Sequence, residues 1–360
     1  MKTKLKNFLI LQLVRFFKKK NAPNRFDPAS PRILVVSTTA LGDTLWATAL
    51  IKALKKNFPA SCLAVLTSQV GREVLENNPH LDEIFSFKEP LFFHFFRLFR
   101  QLNKNKFQAV LFLHASQRLA LPLVKLLQSE YLVGSKGHGK GLEKLFTHSI
   151  ETGKEHELER RFNLAKIIGL KTAETSLEFH FKPPAFLLPP KPYLVFHPGS
   201  KEPFRRWPLE YYMELAEKLS GKFTIVLIGT PQEKALLETI TAKIERSIAF
   251  YQKPSLSKTA HLISQAELFI GNDSGPLHLA ESLKIPSLSF FAATDPDKCG
   301  PLDPTTNLVL KAPLTCRACL KKKCLKPVCL YQIKPQKAYI KSLELIKKNQ
   351  RPDQKPIGQN

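Results

Sequence analysis

The chain has 360 residues, enough for roughly two domains at about 150 residues each. Its 43% hydrophobic and 24% charged residues exclude a disordered chain, a collagen and a coiled coil, and no uninterrupted apolar run of about 18 residues offers a membrane-spanning helix. The net charge of +25 sits at the ends: residues 1–25 hold eight basic residues and no acid, residues 311–360 hold thirteen basic residues and two acids, and the rest carries only +6. Basic ends suit an anionic surface, a membrane or a phosphorylated glycolipid; solvated tails are the plain alternative. A nucleic-acid-binding body would show its basic stripe inside a binding module.

The first twenty residues have basic flanks around an apolar centre, yet Arg15 interrupts it and no small-x-small cleavage site follows, so this is not a signal peptide. Leu5, Phe8, Leu9, Leu13, Phe16 and Phe17 fall near helical spacing. That predicts an amphipathic helix, lying on a membrane or packed as an extension. Strands follow at 33–36, 62–66, 81–85 and 108–113, with helices over 44–57 and 116–127. The aromatic stripe from Leu91 to Arg100 reads as core, with part of it available to lipid. Residues 181–192 contain five prolines and can sustain neither a helix nor a central strand. The pattern then restarts, with strands at 193–196, 223–228, 268–270 and 287–291 and helices over 209–219, 230–246, 277–283 and 336–347. Strands alternating with helices predict α/β, doubly wound parallel sheets. The expected organisation is a basic extension (1–30), a Rossmann-like domain (31–182), a linker (183–192), a second Rossmann-like domain (193–333), a last helix (334–348) and a tail (349–360), with ligands in an interdomain cleft at the carboxyl ends of strands.

Four loops that follow strands carry the polar chemistry. Thr38-Thr39-Ala40-Leu41-Gly42-Asp43 precedes a helix, where Asp43 is either a helix cap or a general base. The loop lacks the G-x-G-x-x-G spacing of a dinucleotide fingerprint. His197-Pro198-Gly199-Ser200 leads through Lys201, Arg205 and Arg206 to Trp207-Pro208; small residues and cations suit a phosphate, and a solvated basic loop is the alternative. Gly271-Asn272-Asp273-Ser274-Gly275-Pro276-Leu277-His278 opens a helix whose N-terminus suits a diphosphate, although Asp273 also reads as a cap and His278 as a core histidine. Gly229-Thr230-Pro231-Gln232-Glu233 places a glutamate that suits ribose hydroxyls or the helix dipole. His114, Ser116 and Arg118 follow a strand of the first half and are further polar candidates there.

Taken together, the Gly42-Asp43 loop, the His197–Pro208 loop and the Asp273-Ser274-Gly275-Pro276-Leu277-His278 loop resemble glycosyltransferase family 9, the ADP-heptose:lipopolysaccharide heptosyltransferases and their relatives, over about residues 31–348. The resemblance implies the GT-B fold and an inverting transfer, most commonly of L-glycero-D-manno-heptose from ADP-heptose to a lipopolysaccharide inner-core or lipid A-core acceptor. It implies that Asp43 is the catalytic base. It further implies that Gly199, Ser200, Gly229, Ser274, Gly275, Pro276, Leu277 and His278 bind the donor, the Ser200 and Ser274–His278 loops at its diphosphate, that Glu233 holds the ribose and that Asp273 touches the donor sugar. Gly42, His114 and Arg118 are the acceptor candidates. The family's lysine two residues before the tryptophan is Arg205 here, so Arg205 and Lys201 share the candidacy for steadying the leaving phosphate. No cofactor is implied for catalysis, no nucleic acid as a partner, and the expected location is cytoplasmic, peripheral at the inner membrane.

Cys316, Cys319, Cys324 and Cys329 cluster with metal-ligand spacing. They admit a structural zinc or iron–sulfur cluster, reduced thiols, or one or two disulfides. Two other functions fit parts of the sequence: a nicotinamide-dependent oxidoreductase on two α/β domains, disfavoured by the missing glycine fingerprint, and a basic nucleic-acid binder with a cysteine metal site, disfavoured by the mildly charged middle.

Overall fold

The structure, a computed structural model, describes residues 2–17, 22–87, 90–172, 175–251, 255–292, 294–313, 324 and 328–349. The chain divides into two compact units, residues 1–180 and residues 181–360. The first contains α1 (Lys2–Phe17), β1 (Arg32–Thr38), α2 (Leu41–Asn57), β2 (Cys62–Thr67), α3 (Gln69–Leu75), β3 (Glu83–Ser86), α4 (Phe95–Lys104), β4 (Ala109–Ala115), α5 (Ala120–Lys125), β5 (Tyr131–Ser135), β6 (His148–Ile150) and α6 (Glu157–Lys166). The second contains β7 (Tyr193–His197), α7 (Leu209–Ser220), β8 (Thr224–Ile228), α8 (Lys234–Thr241), β9 (Ser247–Phe250), α9 (Leu256–Ser264), β10 (Leu268–Asn272), α10 (Gly275–Ser282), β11 (Ser287–Phe291), α11 (Pro296–Cys299), β12 (Asn307–Lys311) and α12 (Pro335–Asn349).

Each unit is an α/β, doubly wound sheet of six parallel strands. The orders are β3-β2-β1-β4-β5-β6 and β12-β11-β10-β7-β8-β9. Central strands of such sheets are covered on both faces, which is why β1, β4, β7 and β10 read as nearly continuous apolar runs. All residues of β7, β8, β10 and β11 are buried. In the first unit one face packs α1, α4 and α5 against Leu34, Val36, Val110 and Phe112. The helix α2, which contacts α3 and α6, buries ten of its own residues from Thr44 to Leu54. At about 1.5–3 kcal/mol for each fully buried large aliphatic side chain, such a stripe is what holds a helix to a sheet.

The elements expected from the sequence are present, with shifted ends. The helix expected over 116–127 is only Ala120–Lys125, because Pro122 is tolerated in a first turn and excluded from a helix interior. The edge strands β6, β9 and β12, together with β5, α6 and α9, carried too little pattern to be read. The N-terminal helix is packed: Val14 is buried among the α5 side chains, while Leu5, Phe8 and Leu9 remain exposed. The aromatic stripe also splits, with Leu91 and Leu98 in the core and Phe92, Phe93 and Phe96 in solvent.

Candidate active site

In both units the strand order reverses at the centre, where β1 adjoins β4 and β7 adjoins β10. Loops leaving such a pair run in opposite directions and open a crevice at the carboxyl ends. The loops after β1, β4, β7 and β10 lie there, and the Gly229–Glu233 loop leaves the neighbouring strand β8.

In the first unit Asp43 stands in the first turn of α2. Ala40, the residue before the helix, makes no side-chain cap, and the Asp43 carboxylate turns instead toward Arg161 and His114. Arg161 Nη2 is 3.4 Å from Oδ1, and Arg161 Nη1 donates to the Asp43 carbonyl. His114 Nδ1 lies 3.7 Å from Oδ2, an electrostatic contact too long for a formed hydrogen bond. Burial alone would raise the Asp43 pKa. The His114 imidazole, the Arg161 charge and the Thr39 hydroxyl outweigh it and hold the carboxyl well below the usual carboxylate range. Asp43 is therefore ionised at neutral pH.

The supporting shell explains how His114 and Arg161 come to be there. The register between β1 and β4 shifts after Val36, so Val36 faces Phe112 and Ser37 faces His114. This bulge leaves Leu113 extra, re-aims His114, and lets the Leu113 carbonyl accept from Arg160 at 3.3 Å. Arg160 also donates to Ser135 Oγ at 2.8 Å and to Glu157 at 2.7 Å. Arg161, wholly buried, lies over the Trp46 ring at 5.5 Å, and burial lowers its pKa to about 10 against the raising effect of Asp43 and Glu157. His138 sits 5.4 Å from the His114 ring, and burial, with Arg160 beside it, lowers its pKa to about 4. Arg118 is turned away from this cluster. It donates to the Asn7 side chain and to the Lys140 carbonyl and so anchors α1. Ser116 bonds the Thr38 carbonyl at 2.7 Å. Gly42 lies within the first turn of α2, before Asp43.

In the second unit the organising residue is Asn272, fully buried at the end of β10. Its amide donates to the Pro198 and Gly199 carbonyls at 2.9 and 3.0 Å, and its oxygen accepts from Trp207 N–H at 2.9 Å and Tyr212 Oη at 3.0 Å. All four hydrogen bonds an asparagine side chain readily makes are used. Trp207 is locked further, stacked on Phe290 at 4.1 Å with its indole N–H on the Ile333 carbonyl. Arg206 closes the loop with two bonds to the Ser200 carbonyl, at 2.9 and 2.6 Å. A side chain at Gly199 would place its Cβ 2.0 Å from Glu233 Oε1, so only glycine allows the two loops this approach. Glu233 Oε2 caps its own turn, accepting from Thr230 N–H at 2.8 Å and Thr230 Oγ1 at 3.0 Å. Gly229 is less tightly confined: a Cβ there would meet the Leu237 methyl at 2.9 Å and Glu233 Oε2 at 3.2 Å.

Arg205 Nη1 pairs with Asp273 at 3.0 Å, and Thr294 donates to the same carboxylate oxygen. Lys201 is exposed. Ser274 precedes α10, its hydroxyl 3.1 Å from His197 Nδ1 and 3.2 Å from the Asn272 carbonyl. Burial drives the His197 pKa down to about 4, with Glu233 opposing and Arg206 reinforcing. Gly275 and Pro276 form the first turn of α10. Leu277 is a core side chain whose N–H bonds the Ser274 carbonyl at 3.1 Å, and His278 is buried with Nδ1 3.2 Å from Glu281.

Residues 95–329 match the family model for Glycosyltransferase family 9 (heptosyltransferase), more than half of the chain. The chain belongs to glycosyltransferase family 9. Among the relatives of this family 9 enzyme, lipopolysaccharide heptosyltransferase 3 of Escherichia coli is 24% identical over 277 residues, covering 71% of this chain and 81% of that protein. Lipooligosaccharide heptosyltransferase 2 of Campylobacter jejuni (serotype O:6, strain 81116) is 23% identical over 327 residues, covering 88% and 98%. The solved structure of E. coli ADP-heptose lps heptosyltransferase II superimposes with a TM-score of 0.74 at 19% identity, over 89% of this chain and 100% of that one, so the fold is shared. The protein is a glycosyltransferase with two doubly wound sheets.

Several residues of the family 9 enzyme's site have no role in the sequence reading. Arg160, Arg161 and Glu157 belong to α6, and His138 to a loop, all in a stretch left without elements. The available signal was charge on an apolar stripe: Leu158, Phe162 and Ala165 define the buried side of α6, and Arg161 lies on it. Of the cysteine cluster, Cys316 and Cys319 lie outside the described residues; Cys329 is buried and Cys324 half-buried. Among the described residues no group of three His, Cys, Asp or Glu side chains is placed to hold a metal ion, and no helix is long and apolar enough to cross a membrane.

Proposed function

We propose that this enzyme transfers L-glycero-D-manno-heptose from ADP-heptose, with inversion, to a hydroxyl of a lipopolysaccharide inner-core acceptor at the cytoplasmic face of a membrane. Its relatives carry heptosyltransferase names, which supports the sugar and the acceptor class. The observation that carries the chemistry is Asp43, an ionised carboxylate at the end of β1 backed by a buried arginine. As the sugar leaves its diphosphate, positive character builds at the anomeric carbon. The acceptor hydroxyl then acidifies, and Asp43 takes its proton as attack proceeds. A carboxylate held this acidic is too weak a base to remove that proton beforehand, so deprotonation and attack are concerted. His114 stands beside the carboxylate and offers the proton a way out.

The second unit supplies the donor side. The shape of the 197–207 loop is fixed by Asn272 and Arg206, and the N-terminus of α10 adds N–H groups that favour a diphosphate. The Arg205–Asp273 pair is the element expected to rearrange: Asp273 is freed for the sugar when Arg205 moves to the departing phosphate. Glu233 binds the ribose in this reading, supported by its Oε1 lying close over Gly199.

Asp43→Asn tests the reading. With ADP-heptose and a core acceptor, turnover is expected to fall by about 10³-fold or more, while ADP-heptose still raises the melting temperature. Near-normal turnover removes Asp43 from the reaction. Stabilisation by UDP-sugars but not by ADP or ADP-heptose would replace the donor and leave the fold assignment intact. A response to NADH alone overturns the reading.

A further inference from the structure

We propose that α1 and the aromatic turn leading into α4 form one membrane-docking surface that seats the enzyme on an anionic lipid bilayer. The proposal deepens the functional reading above, and rests on it only for the statement that the acceptor is lipid-borne.

Two separate segments build the surface. Helix α1 packs on α5 through Val14, with Ile10 and Leu11 against the same cluster. Helix α4 packs on α5 as well, through the cluster that holds Leu98 and Leu102. Both therefore cover one face of the first sheet, and each turns large apolar side chains outward. Leu5, Phe8 and Leu9 of α1 are 53–62% exposed. Phe92, Phe93 and Phe96 are 67–75% exposed, more than any aromatic side chain in a folded core. Phe92 and Phe93 touch edge to face at 5.6 Å, so they stand as a wedge rather than as scattered residues. The anchoring is specific to this chain's own residues, since Asn7 and Arg118 hydrogen-bond each other and the Lys140 and Gly141 carbonyls receive their remaining donors.

Charge decides the occupant. Lys4, Lys6, Arg97 and Arg100 are exposed beside these apolar groups. Neither residues 1–25 nor residues 90–107 contain a single acid. A protein partner of ordinary composition calls for mixed charge, and a second copy of this chain would set the same cations against each other. An apolar wedge flanked by cations along both of its own segments, with Glu143 as the acid on the loop that receives Asn7, matches the acyl boundary and headgroups of an anionic membrane. Among the described residues α1 is not long and apolar enough to cross a membrane, and its packing on α5 leaves its exposed side to lie along the headgroups.

The full-length protein is floated with vesicles of phosphatidylcholine alone and of phosphatidylcholine with 30% phosphatidylglycerol. Binding is expected to the anionic vesicles, at least tenfold weaker on the neutral ones, and weakened by 0.5 M salt. The solvent-exposed triple variant Phe92→Ser/Phe93→Ser/Phe96→Ser is expected to lose at least tenfold in partitioning with an unchanged melting temperature. Lys4→Glu/Lys6→Glu is expected to lose binding to the anionic vesicles alone. Turnover on a delipidated core oligosaccharide should be unaffected by either change, while turnover on vesicle-borne acceptor falls. Wild-type protein that ignores anionic vesicles overturns the proposal, as does a triple variant that binds them normally or only converts a dimer to a monomer. A protein that floats but glycosylates neither acceptor leaves the surface standing and removes the functional reading instead.

Discussion

The two units share a strand order and differ in what their sequences place at the point where that order reverses. In the first, the crevice between β1 and β4 holds ions: Asp43, Arg161, Arg160 and Glu157, with two imidazoles beside them. In the second, the crevice between β7 and β10 is organised by an amide, Asn272, and by a histidine kept neutral, with Arg206 on a backbone carbonyl and a single ion pair, Arg205–Asp273. The contrast fits the tasks proposed for the two units. A group that moves a proton needs its charge set by neighbours, and neighbours strong enough to set it must themselves be buried and paired. A loop that receives a diphosphate needs a fixed shape with unspent cations at its rim. Asn272 gives much of that shape without charge, while Arg206 is spent on the Ser200 carbonyl and Arg205 on Asp273, which leaves Lys201 exposed at the rim. Topology supplies the same crevice twice; the side chains at strand ends decide its chemistry.

Removing the ion that holds Asp43 is the strongest way to break the comparison. Arg161→Met leaves a carboxylate without its buried partner, which costs about 3–5 kcal/mol in the first unit. It also removes a charge that lowers the Asp43 pKa, so that pKa rises. The acid limb of kcat/KM should move to higher pH relative to wild type, whereas mere loosening of the fold would lower activity evenly across pH. An unmoved acid limb would separate Arg161 from the base.

How far the sequence disclosed all this differs between the units for a physical reason. In the second unit the candidate groups sit in short loops directly after apolar strands, so Gly199, Glu233 and Asp273 are legible as candidates by position alone. Asn272 was in plain view yet without a role, because an asparagine's partners are carbonyls, and carbonyls leave no trace in a sequence. In the first unit Asp43 was legible as a candidate. Its partners were not: Arg161 reaches it across 118 positions, and the bulge that aims His114 arises from a register shift between neighbouring strands. Edge strands such as β6, with three residues, offer too few alternations to be distinguished from loop. The wedge at Phe92 and Phe93 misled in the other direction, since apolar composition predicts burial and only packing shows which rings are left out.

Titration offers a milder test. An imidazole buried neutral has a folded pKa of about 4 at His197 against 6.5 when free. Below pH 6.5 the unfolded chain binds the proton and the folded one does not, so stability present at neutral pH is lost as pH falls from 6.5 toward 4. The difference is about 3 kcal/mol. The chain has two tryptophans, Trp46 in the first unit and Trp207 in the second, so Trp46→Phe leaves a reporter in the second unit alone. Urea unfolding followed through Trp207 should lose stability over that window, and His197→Gln should flatten the slope. An equal slope in the variant would place the acid sensitivity elsewhere.

The smallest expected effect lies at Arg206, where the second unit uses a cation structurally. Its guanidinium closes the 197–207 loop through two bonds to one carbonyl, an arrangement an ammonium group cannot copy. Arg206→Lys preserves the charge near His197 and gives up one bond, worth about 1 kcal/mol. That corresponds to a roughly fivefold weaker ADP affinity if the fixed loop is what binds the diphosphate, with kcat at saturating donor little changed. Arg206→Gln should weaken ADP no more than Arg206→Lys does if the residue acts through loop shape. A much larger loss in the glutamine variant would mean that Arg206 meets the phosphate directly, and the division between a charged crevice and a neutral one would then have to be redrawn.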